Sequence, residues 1–126
     1  QMAGAAQDDY VVRNLLGIDP VHKVIAIGEQ APPGARITFC RRDLPGATHD
    51  MARMLESIGS GLYGNPRGAL YFSCVGRGPN LFGSASEEAG MIQHALGDIP
   101  LAGFFCEGEI SHNRLYGYTG VLTLFS

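Results

Sequence analysis

Apolar positions along the chain fall into short β-branched or aromatic runs and two stretches of helical spacing. Tyr10–Leu16 and Val21–Ile27 are apolar runs separated by Gly17-Ile18-Asp19-Pro20, a spacing that predicts an antiparallel hairpin. Arg36–Cys40 alternates, with Ile37 and Phe39 on one face and Arg36, Thr38 and Cys40 on the other, and predicts a third strand after Pro32-Pro33-Gly34. Behind Asp43, a candidate N-cap, Ala47, Met51, Met54, Leu55 and Ile58 recur at helical spacing until Gly59 and Gly61. Ala69–Cys74 is short and aromatic and reads as a central strand that stops at Gly76. Ser84-Ala85-Ser86-Glu87 has capping-box spacing, and Ala85, Ala89, Ile92 and Leu96 mark one face of a second helix closed by Gly97. Leu101–Cys106 and Gly120–Phe125 are the last strands, with the polar stretch Ser111–Tyr118 between them.

The predicted order is therefore βββ-α-β-α-ββ. It describes an α+β fold, a mixed and mostly antiparallel sheet packed with two helices. The third strand and the strand ending at Cys74 are expected in one sheet, covered by the Ala47/Met51/Leu55/Ile58 face of the first helix.

A length of 126 residues suits one domain with one core, and 45% apolar against 17% charged residues is a globular balance. Residues 1–8 read as a tag remnant or linker and residues 9–126 as the domain, with more protein expected ahead of it. The net charge of −3 lacks the basic footprint of nonspecific nucleic-acid binding. No apolar run approaches the ~20 residues needed to span a bilayer, so neither nucleic acid nor membrane is an expected partner. Cys40, Cys74 and Cys106 are widely spaced and lack the pattern of a zinc knuckle. An odd number of thiols in a domain of this size fits a reducing, cytoplasmic compartment, and neither metal nor cofactor is expected.

Two strand ends share a local pattern, Tyr71-Phe72-Ser73-Cys74-Val75-Gly76 and Gly103-Phe104-Phe105-Cys106-Glu107-Gly108, in which aromatic residues lead into Cys-x-Gly. Glycine permits a close backbone approach where a strand gives way to a loop, and such loops commonly form pockets. One loop carries Gly76-Arg77-Gly78 and the other Glu107-Gly108-Glu109, so a planar cation and two carboxylates are available to a zwitterion. Arginines of this kind more often form a structural salt bridge, here to one of those glutamates, although the flanking glycines favour a ligand role. Cys74 reads first as a small buried hydrophobe and second as a thiolate activated by Arg77. His112 is the better candidate base for that second reading, since His94 falls on the outer face of the second helix. Gly76-Arg77-Gly78 lacks the Lys-Ser/Thr pair of a phosphate loop. Arg41-Arg42-Asp43 reads as an N-cap beside solvated arginines.

Tyr71–Gly78, Leu81-Phe82-Gly83, Glu87 and Gly103–Ile110 together resemble the C-terminal half of the FIST family. Val12–Asp19 and Arg42-Asp43 are similar to that family's earlier landmarks, so the likeness covers nearly the whole chain. FIST proteins serve as sensory inputs of bacterial signalling proteins and occur in an F-box protein of ubiquitin ligation. The resemblance implies small-molecule binding, with amino acids as the expected class, and an N-terminal FIST domain in the full-length protein.

The leading expectation is a sensory domain, not an enzyme, whose ligand lodges against Cys74, Gly76, Arg77, Gly78, Glu107, Gly108, Glu109 and His112. The alternatives are a thiol-dependent enzyme using Cys74 and a protein-interaction scaffold without a small ligand.

Overall fold

The computed structural model describes residues 11–126, so the expectations for residues 1–8 and for Tyr10 lie outside the described residues. The chain forms two compact units, one ending at Phe39 and one running Cys40–Ser126.

The first unit is an antiparallel hairpin of β1 (Leu15–Asp19) and β2 (Val24–Ile27). Its turn falls later than the glycine-containing spacer suggested, because Asp19-Pro20 organises it. The Asp19 carboxylate accepts hydrogen bonds from the amides of Val21 and His22 at 2.9 and 3.0 Å, the Asx geometry that starts a turn. Arg13 pairs with Glu29 at 2.6 Å, closing the open end of the hairpin. Among the described residues, 36–40 join no sheet, so the predicted third strand is not seen there, and Ile37 and Phe39 are exposed. Alternation specifies two faces, but strand formation also depends on a ladder with a second segment.

The second unit is a three-stranded sheet with helices on one face. Helix α1 (Leu44–Gly61) starts where Asp43 accepts the Gly46 amide at 2.9 Å and Pro45 enters the first turn. The sheet has the order β4 (Leu101–Cys106), β3 (Gly68–Cys74), β7 (Gly120–Phe125). β3 is parallel to β4 and antiparallel to β7, so the expected mixed character holds, with β3 central. Among the described residues, 36–40 do not join this sheet as expected.

Between β3 and β4 lie α2 (Gly78–Phe82) and α3 (Glu87–Leu96). Pro79 in the first turn and Gly83 at φ 83° delimit α2, a one-turn helix whose bracketing proline and glycine were a legible signal. The expected capping box does not form. Ser84 Oγ accepts the Ser86 amide at 3.2 Å, and α3 opens two residues later than that motif implied. The polar stretch before β7 also holds structure, a hairpin of β5 (Glu109–Ser111) and β6 (Arg114–Tyr116). Its two-residue loop takes a positive φ at His112, as primed hairpin turns do.

The core joins Met51 and Leu55 of α1, Tyr71 of β3, Phe82 of α2 and Ile92 of α3, with Leu101 and Leu122 packed against it. The predicted face of α1 is thus the buried one. β3 alternates as its position requires, with Ala69, Tyr71 and Ser73 under the helices and Leu70 and Phe72 on the opposite face. There Phe72 meets Phe104 edge to face, ring centroids 5.1 Å apart.

Gly103 opposes Tyr71 across the β3–β4 ladder, and a β-carbon there would fall on the Tyr71 carbonyl. Gly103→Ala should therefore lower stability by about 1–3 kcal/mol, because the obstacle is backbone. Gly90→Ala in α3, which meets nothing within 4 Å, should raise stability by up to ~1 kcal/mol. Urea unfolding of both variants should show shifts of opposite sign.

Candidate functional site

Under the helices a single carboxylate gathers four donors. Glu88, only 2% exposed, sits one turn before Ile92 on the buried face of α3. Its Oε1 accepts the Tyr71 hydroxyl and Arg77 Nε, each at 2.7 Å. Its Oε2 accepts the Ser73 hydroxyl at 2.9 Å and the Gly78 amide at 3.2 Å. Tyr71 and Ser73 reach it because both point to the helix face of β3, and Arg77 and Gly78 because the chain turns back under α3 after Cys74. Burial alone would raise the Glu88 carboxyl, but the bonds from Tyr71, Arg77 and Ser73 hold it below the usual carboxylate range. Burial, and then the bond to Glu88, push the Tyr71 hydroxyl well above its ordinary value. The guanidinium of Arg77 also lies over the Phe82 ring, 5.2 Å from its centroid, and within 3.8 Å of Met51 Sδ.

Arg77 forms the expected salt bridge, but not with Glu107 or Glu109. The structure makes it with Glu88 at 2.7 Å. The signal for Glu88 was a charge four residues before Ile92, inside an apolar helical face. The glycines flanking Arg77 have packing tasks. A β-carbon on Gly76 would meet the Tyr118 ring and the Arg42 guanidinium at 2.8 Å, and Gly78 takes φ 39° against the ring of Phe105. Arg42, expected in solvent, donates to the Gly76 carbonyl at 2.8 Å and lies over Tyr118, 4.7 Å from the ring centroid.

The second predicted loop builds a separate cluster. Cys74 and Cys106 are in-register neighbours at the ends of β3 and β4, and Cys74 is buried. Since successive side chains alternate, Cys74 faces away from Ser73 and the Glu88 cluster. Glu109, 2% exposed, accepts the Thr119 hydroxyl at 2.7 Å and the Cys106 thiol at 3.3 Å. Burial, followed by the hydrogen bond and charge of Glu109, pushes the Cys106 thiol up. Gly108 lies under the Leu115 side chain, and Glu107 and His112 are exposed, His112 at the hairpin tip. No ion pair joins Arg77 to Glu107 or Glu109 among the described residues. The eight predicted positions therefore divide into a helix-side group around Arg77 and an opposite-side group around Glu109.

Above the Glu88 cluster a cleft of about 210 Å³ runs along β4. Tyr71, Ser73 and Glu88 form its floor, Ala89 and Gly103 leave it open, and Phe105 supplies aromatic surface. Among the described residues β4 pairs with β3 alone, so its outer edge presents backbone N–H and C=O groups that no strand covers.

This Arg77–Glu88 scaffold is carried by a sequence that matches the family model for the FIST C domain over residues 1–112. The chain belongs to the FIST C family. FIST C domains are associated with sensory signal transduction. The chain is similar to Uncharacterized protein Rv0628c of Mycobacterium tuberculosis, 42% identical over 128 residues, which cover 98% of this chain and 33% of that protein. It is also 43% identical over 128 residues to Uncharacterized protein Mb0898c of Mycobacterium bovis, with the same coverage. The chain spans about a third of the length of the curated relatives it matches. No solved structure matches it. No helix among the described residues of this FIST C chain is long and apolar enough to cross a membrane.

Glu88→Gln should leave Arg77, 9% exposed, without its counter-charge and cost about 3–5 kcal/mol, read as a lower melting temperature. The folded-state pKa of Glu88 lies below its ordinary 4.5. Its contribution is therefore full above about that pH and lost as pH falls through the lower folded-state value. The stability gap between native protein and variant should narrow over that acid window in melts recorded across pH.

Proposed function

We propose that this FIST C chain is the small-molecule-sensing module of a signalling protein and that its ligand is an amino acid or a similarly small amphiphile. The observation that carries the reading is the cleft of about 210 Å³ beside the open edge of β4. Its volume lies below the ~300–1,000 Å³ of drug-sized pockets, which favours a small ligand. The free N–H groups of a strand edge suit a carboxylate, its carbonyls suit an ammonium group, and the Phe105 ring suits a side chain. Binding is favoured over turnover at this floor, because each oxygen of Glu88 already holds two donors and is not free to take up a proton. The saturated network instead gives a rigid base on which a ligand can be positioned. In this reading the remaining two-thirds of a polypeptide like the relatives holds the N-terminal FIST domain and the output.

Calorimetric titration and thermal unfolding with single amino acids and their deaminated analogues test the proposal. A bound amino acid at 100 times its Kd should stabilise the protein by ~2.7 kcal/mol. The deaminated analogue should bind roughly tenfold more weakly, having lost one charge-assisted hydrogen bond. Ala85 lines the cleft and is exposed, so Ala85→Phe should abolish binding while leaving the melting point of the free protein unchanged. Full binding by Ala85→Phe, or no response to any amino acid, would defeat the reading.

A further inference from the structure

The opposite side of the sheet holds a group that the ligand reading leaves unused. We infer that Cys74 and Cys106, with Glu109 as proton acceptor, form a reversible dithiol–disulfide site that reacts with small-molecule disulfides. Three observations carry this. The two cysteines are register partners on adjacent parallel strands, so their side chains leave the sheet on the same face. Strands spaced ~4.8 Å apart bring in-register α-carbons within the ~4.4–6.8 Å that a disulfide spans. Cys106 Sγ already leans across towards β3, 3.7 Å from the carbonyl oxygen of Ser73, the residue before Cys74. Finally, a buried carboxylate stands 3.3 Å from that sulfur, and among the described residues its other hydrogen bond comes from the Thr119 hydroxyl, not a cation. Cys40, the third thiol, is exposed.

The reaction balances as thiol–disulfide exchange. Cys106, the less buried of the two, gives its proton to Glu109 and attacks one sulfur of the small disulfide, whose S–S bond breaks. The departing thiolate takes up a proton and leaves as a thiol. Cys74 then attacks the Cys106 sulfur of the mixed disulfide, its proton leaving with the second small thiol. Two protein thiols are oxidised, and one small disulfide is reduced to two thiols. The new bond draws Cys106 away from Glu109, beside the loops that begin at Val75 and Glu107, so oxidation changes the hydrogen bonding of a buried carboxylate. This site is independent of the ligand cleft, which lies across the sheet.

The test uses the protein with Cys40→Ser, treated with glutathione disulfide at neutral pH and read by intact mass and peptide mapping. The expected product has lost two hydrogens, links Cys74 to Cys106, and returns to starting mass with dithiothreitol. With Cys74→Ala added, a glutathione adduct should accumulate on Cys106. With Glu109→Gln instead, formation should slow at least about tenfold at neutral pH and recover at alkaline pH, where hydroxide removes the proton. A lasting adduct on Cys106 with Cys74 present, cross-links between molecules, or no reaction in the folded protein while the unfolded chain reacts would each overturn the proposal. An unchanged rate and pH profile in Glu109→Gln would overturn the role of Glu109.

Discussion

A carboxylate taken out of water must recover its solvation from the protein, and the second unit is arranged around meeting that demand for Glu88. Four donors from four positions converge on its two oxygens: a phenol and a hydroxyl from β3, a guanidinium from the turn after it, and an amide from the start of α2. Each constrains a different stretch of backbone. Because an unpaired buried charge is far costlier than a paired one, displacing any of these segments raises the energy of all the others. The network thus ties α3 to β3 in a defined register, which apolar packing of Ile92, Tyr71 and Phe82 would specify less sharply.

The sheet then acts as a partition. One step along β3, from Ser73 to Cys74, carries the chain from the Glu88 network to the thiol cluster, because side chains alternate. On the helix side the ionisable groups are saturated and form a rigid floor beneath the cleft along β4. On the other side Glu109 is buried beside a thiol and a hydroxyl, both neutral donors. Among the described residues, the carboxylate on the helix side meets a guanidinium and the one on the other side meets neutral donors.

Glycines set how closely these parts approach. Gly103 lets β4 lie against the Tyr71 backbone and keeps the cleft open, while Gly78 accepts a positive φ and directs its amide at Glu88. The sensory association of the FIST C family fits a module of this construction, in which a cleft beside an open strand edge rests on a preorganised base.

Much of this was legible in the sequence itself. Helical periodicity located α1 and its buried face, the Asp43 cap marked its start, and short apolar runs located β3, β4 and β7. These are local signals, set by a side chain's own spacing and by hydrogen bonds to nearby backbone. Capping chemistry near Ser84 and alternation at 36–40 were local signals too, and both yielded to tertiary context. A strand exists only if another segment meets its backbone, and a hydroxyl caps a helix only if the chain enters at the right angle. The partner of Arg77 was likewise beyond sequence reasoning. Glu88, eleven positions away on a helix face, competes in sequence with Glu87, Glu107 and Glu109, and only the sheet separates Glu109 from Arg77. The sequence determined which residues carry charge, thiol and glycine at the two strand ends. Only the tertiary structure decided which of them meet, because the two faces of β3 sort neighbouring residues into environments that do not communicate directly.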